Sequence, residues 1–187
     1  MAIDKPVAFD TRRFRTALGL FASGVTVITT RHQDHTHAMT ANAFVSVSLE
    51  PPLILVSVDH RSEMNRLLGE TRRFGVNILA KEQQALSDYF AGRSPEKVLV
   101  PFVILHGWPM LEKALARLVA EVVEIHPAGD HTLYVGRVEH LDWREGDPLV
   151  FFAGAYRHLA EYPRIRAPRA EDEFSLFSIG SFDPKIP

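Results

Sequence analysis

A chain of 187 residues that is 46% hydrophobic, with a formal net charge of −2, fits one domain with a sizeable core and advertises no basic face for nucleic acid or anionic lipid. The absence of cysteine removes disulfides, thiolate catalysis, Cys-ligated zinc and iron–sulfur clusters. No apolar run reaches the roughly 20 residues that span a bilayer, and the start MAIDKPVAFD lacks a basic-then-apolar leader, so a cytoplasmic protein is expected.

In chain order, Asp10 or Thr11 can cap a first helix, with Phe14, Ala17, Leu18 and Phe21 forming one apolar face before Gly24 ends it. Residues 25–30 (VTVITT) are β-branched throughout and predict a strand, followed by a polar turn, RHQDHTH. Residues 39–49 predict a second strand that pairs with the first, a corner at Pro51 and Pro52, and a third strand, LILVSV, at 53–58. Ser62, three residues before Asn65, starts a short helix over 62–70. A strand over 74–80, a helix over 82–90 and a loop with one strand-like piece over 94–109 follow. Residues 115–126 and 132–143 read as a hairpin around the turn PAGD. Residues 148–152 read as a last strand and 153–159 as a short helix or turn. Long strands with hairpin spacing and irregularly placed helices argue for a small barrel over a doubly wound sheet.

Four candidate sites are weighed on residue type. His32, His35 and His37 with Asp34 carry metal-binding imidazoles, but they fall in a predicted turn where nothing fixes their spacing, so the turn outweighs a metal or haem module. Ser23 sits in ASGV and lacks a nucleophile elbow. Along 39–48, alternation puts Thr40, Asn42, Phe44, Ser46 and Ser48 on one face. A half-exposed strand shows the same pattern, so alternation leaves both readings open; Asn42, Ser46, Asp59, Arg61 and Ser62 at one corner would supply donors for a polyol and a phosphate. Gly129-Asp130-His131 is either a tight turn or a polar grip on a second ligand.

The segments SGVTVITT, MTANAFVSVSLEPPLILVSVDHRS, FGVNILAKEQQALSDYFAG, GDHTLYVGRV and DPLVFFAGAYRHL occur in the order of the flavin reductase family of two-component monooxygenases, which the chain resembles over roughly residues 14–159. The resemblance implies a mainly β, FMN-binding split β-barrel with Greek-key-like connections over residues 1–162, and a tail over 163–187 that is extended or docks on a partner subunit. It implies a homodimer that uses NADH or NADPH to reduce FMN or FAD and passes reduced flavin to a separate oxygenase. Carried over by position, Val25, Thr26, Val27, Met39, Thr40, Ala41 and Asn42 would meet the ring. Ser46, Val47, Ser48, Ser57, Asp59, Arg61 and Ser62 would serve the ribityl and phosphate end. His131 and, secondarily, Tyr156 would orient the nicotinamide. Hydride would pass from nicotinamide to flavin with no side chain acting as acid or base. A flavin-binding barrel without turnover is the alternative within the same fold.

Overall fold

The computed structural model describes residues 9–94 and 98–159; the predicted tail over 163–187 lies outside them. Its centre is one antiparallel sheet of seven strands: β2 (Thr26–His32), β3 (His35–Ala41), β4 (Phe44–Ser48), β5 (Leu53–Asp59), β6 (Arg73–Ile78), β9 (Ala116–Ala128) and β10 (His131–Trp143), in the spatial order β3-β2-β6-β9-β10-β5-β4. The two-residue β1 (Ser23–Gly24), β11 (Val150–Phe152) and β12 (Ala155–Arg157) form a small second sheet, while β7 (Phe102–Leu105) and β8 (Trp108–Leu111) form a hairpin.

β3 and β4 are consecutive in the chain yet occupy opposite edges of the seven-stranded sheet. This corrects the reading of residues 39–49 as one strand. The cause is not local: β2 begins at Thr26, whose partner is Ala41, so β3 runs out of neighbour at that residue. The chain then crosses at Asn42–Ala43 and pairs afresh with β5, Phe44 opposite Val56. The sheet therefore curls until one segment bridges its two edges without closing the hydrogen-bond ladder, which is the split barrel expected.

Inside the curl, Ile28, Val56, Val58, Phe74 and Val76 pack with α2 (Glu63–Thr71), which contributes the buried Met64 and Leu68. Ser62 caps α2 by accepting from the Asn65 N–H at 3.1 Å. The return bond of a capping box is replaced, because the Asn65 side chain and carbonyl accept from the Tyr134 hydroxyl at 2.9 and 2.8 Å. The three buried threonine hydroxyls of β2 are paired as burial demands: Thr26 donates to the Ala41 carbonyl (2.6 Å), Thr29 to Pro109 (2.8 Å) and Thr30 to Arg73 (3.0 Å).

Four further expectations change. The polar turn after β2 shrinks to Gln33 and Asp34, since His32 and His35 already face each other across the ladder. The stretch at 94–109 holds β7 and joins it to β8 through His106 and Gly107, both at positive φ, so the fully buried β8 covers the outer face of the sheet. Residues 155–157 form a strand, not a helix or turn, after a tight turn at Ala153 and Gly154. Helix α1 (Thr11–Leu18), capped by Asp10, ends before Gly19 and buries none of its residues; Phe14 and Leu18 stand exposed.

Candidate functional site

A cleft opens where β3 ends. Val25, Thr40, Ala41 and Asn42 form one wall, and Ser87, Ala91, Arg93, Phe151 and Tyr156 form the other. The second wall comes from α3 (Gln84–Phe90), which follows a 3-10 turn at Lys81–Gln83, and from the β11–β12 hairpin. Two hydrogen-bonded links fix the walls. Thr40 donates to the Ser87 carbonyl at 2.7 Å, and the Tyr156 hydroxyl lies 2.8 Å from Ser87 Oγ and 2.9 Å from Asp88 Oδ1. Burial, the largest influence on it, pushes the Tyr156 phenol above its ordinary value, so it stays protonated near neutrality. The Tyr156 ring also meets Phe151 edge-on at 5.4 Å.

The cleft encloses about 130 Å³, below the roughly 300 Å³ of small-molecule pockets that surround their ligand. Small side chains at Val25, Ala41 and Ala91 beside two aromatic rings suit a flat aromatic ligand lying against the cleft by one face. These residues fit an isoalloxazine ring. A second hollow of about 680 Å³, bounded by Glu82, Leu86, Glu112, Lys113 and Arg144, contains none of the predicted residues.

A second group lies at the far end of β5. The Asp59 carboxylate accepts from the Arg61 main-chain N–H (2.8 Å), Nε (3.1 Å) and Nη2 (2.7 Å), and these bonds hold its pKa well below the usual carboxylate range. His131 stands opposite Asp59 in the ladder, is 40% exposed at its side chain, and has Nδ1 2.7 Å from Asp130 Oδ1. That contact lowers the Asp130 pKa. Ser62 donates to the Asp59 carbonyl (2.9 Å) while capping α2. The Ala43 carbonyl accepts from the Ser57 N–H at 3.1 Å. From Ser57 to Asp59 is two residues of strand, about 7 Å, so β5 carries the chain from the residue after Asn42 to the His131 group.

The remaining predicted residues are placed differently. Thr26 and Val27 are buried, as the neighbouring Val25 is, but unlike Val25 they are not among the residues that line the cleft. Met39 packs on the barrel core. Ser46 opposes Ile54 and Ser48 opposes Leu53, which sets Ser46 five residues, about 17 Å, along β5 from Asp59. The five donors read as one corner are therefore not one corner within this chain. Ser87, Arg93 and Phe151 were missed. Ser87 gave a signal, being a polar residue beside Leu86 on the face of α3 that the structure buries. The histidines do not converge: His32 Nε2 meets Glu70 at 3.2 Å, and among the described residues no three His, Cys, Asp or Glu are grouped to hold a metal ion.

Residues 18–160 match the family model described as a flavin reductase like domain. An NADH-dependent flavin reductase of Rhodococcus is 53% identical over 148 residues, covering 78% of this chain and 84% of its own length. The reductase component of a 4-hydroxyphenylacetate 3-monooxygenase from Thermus thermophilus is 40% identical, covering 78% of this chain and 95% of its own. The solved structure of the flavin reductase PheA2 in its native state superposes with a TM-score of 0.81 at 46% identity, over 82% of this chain and all of that one. The chain belongs to the flavin reductase-like family.

Proposed function

We propose that the protein is an NADH-dependent flavin reductase that takes up FMN or FAD at the β3–β4 crossing and supplies reduced flavin to a separate oxygenase. The observation that carries this is the cleft itself, whose small and aromatic walls suit one face of a flat ring. The cofactors supply the hydride chemistry. The protein's residues position and exclude. Ala41 and Asn42, at the end of the ladder, offer main-chain groups to the ring; Thr40 joins the two walls through Ser87, and Tyr156 braces the second wall through the same residue. Asp59, Arg61 and Ser62 form the polar end for ribityl and phosphate, and His131 orients the nicotinamide. Tyr156 shares the flavin cleft more closely than the His131 end, so its role is in the ring wall. NADPH is the alternative donor.

The chain acts as a homodimer in this reading. Edge strand β4 leaves Val45 53% and Val47 42% exposed, and Leu49, just past its end, is 66% exposed, an uncovered apolar edge of the kind that soluble chains hide by pairing. A second copy across β4 would also bring its own residues to Ser46, Val47 and Ser48. No helix among the described residues is long and apolar enough to cross a membrane, and the place of action is taken as the cytoplasm, where NADH is regenerated.

Purified protein mixed with NADH and FMN, or FAD, tests the activity by absorbance at about 340 nm, where reduced nicotinamide absorbs. Steady NADH loss that depends on free flavin is expected. A tightly retained yellow cofactor without turnover would favour a flavin-binding barrel of the same fold.

A further inference from the structure

Of the residues that line the cleft, Arg93 alone carries a formal charge at neutral pH. Its main-chain N–H donates to the Asp88 carbonyl at 2.9 Å, just past the end of α3. Its guanidinium lies over the Phe151 ring, 5.6 Å from the centroid, a cation–π contact that holds the charge against the cleft wall. Among the described residues no carboxylate forms an ion pair with it. The acid of the same wall, Asp88, is engaged by the Tyr156 hydroxyl.

Hydride transfer adds two electrons and one proton to a neutral ring, so reduced flavin carries one more negative charge than oxidised flavin. A cation beside the ring acts unequally on the two forms, even where solvent reaches it as it reaches the exposed Arg93. We infer that Arg93 makes the cleft discriminate by charge, holding reduced flavin more tightly than oxidised flavin and so favouring the transfer while slowing release of the product. This rests on the cleft being the seat of the flavin. A guanidinium that gripped a phosphate would instead strengthen both forms alike, because the phosphate charge does not change on reduction.

The test is a pair of FMN titrations, aerobic for the oxidised form and anaerobic with chemically reduced FMN, on the wild-type chain and on R93Q and R93K. In R93Q the Kd for reduced FMN should rise about tenfold, equivalent to about 30 mV in the bound two-electron potential. The Kd for oxidised FMN should change less than about threefold, and R93K, which keeps the positive charge, should recover most of the difference. The preference of the wild-type chain for reduced FMN should also shrink as salt is raised. Equal weakening of both forms in R93Q, or no change in either while wild type binds both, overturns the role of Arg93 and leaves the cleft assignment standing. A wild-type chain that binds neither form overturns both.

Discussion

The Thr40 hydroxyl donates to the main-chain carbonyl of Ser87 at 2.7 Å, tying the last turns of edge strand β3 to helix α3 from 47 residues further along the chain. Because the Ser87 carbonyl also accepts from the Ala91 N–H at 3.0 Å, losing Thr40 leaves it paired. Thr40→Val should therefore cost only about 1 kcal/mol of stability by urea unfolding. Its larger effect should be on FMN affinity, because the two walls of the cleft lose the side-chain hydrogen bond that joins them. A variant that loses stability heavily and binds FMN normally would contradict that division.

His131 sits with Asp59 and Asp130 beyond the cleft. His131→Ala should raise the KM for NADH by about an order of magnitude, the scale of one polar contact to a charged group, and change the Kd for flavin little. Equal loss of both, or loss of neither, removes the orienting role.

Gly136 begins the GRV segment of β10, and its value is steric. A Cβ there would lie 2.6 Å from Phe74 Cζ and 2.7 Å from Cε1, in the middle of the barrel core. Gly136→Ala should destabilise the fold by about 1–3 kcal/mol, read as a lower urea midpoint with unchanged slope. A neutral result would mean that the ring has room to move.

Burial, the largest influence, pushes the His37 imidazole below its ordinary value of 6.5; Glu63 opposes the shift and Arg66 adds to it. The unfolded chain therefore takes up the proton first. The stability of keeping His37 neutral is full above about pH 6.5 and is lost as pH falls through the lower folded value. The Tm of wild type minus that of His37→Gln should be more positive at about pH 7.5 than at about pH 5. A difference independent of pH, or one that grows on acidification, would contradict the burial of that ring.

How far the chain announces itself depends on whether the cause of each element is local. The β-branched run at 26–30, the PAGD turn between β9 and β10 and the Ser62 cap of α2 carry their own signals, and each is in place. The crossing at Asn42–Ala43 has no such signal. It follows from where β2 begins, which is a property of the sheet. The β7–β8 hairpin was obscured by Pro101 and Pro109, and its turn carries only one glycine, Gly107, with His106 taking the other positive φ. The near wall of the cleft was legible from residues 40–42; of the far wall only Tyr156 was, because Ser87, Arg93 and Phe151 come from elements that only the folded chain brings beside Ala41.

The seat of the ring is decided most directly by a crystal structure of the chain with FMN. Density for the isoalloxazine between Ala41–Asn42 on one side and Phe151–Tyr156 on the other is the result predicted. Density in the broader hollow bounded by Leu86, Lys113 and Arg144, with the β3–β4 crossing empty, would contradict it.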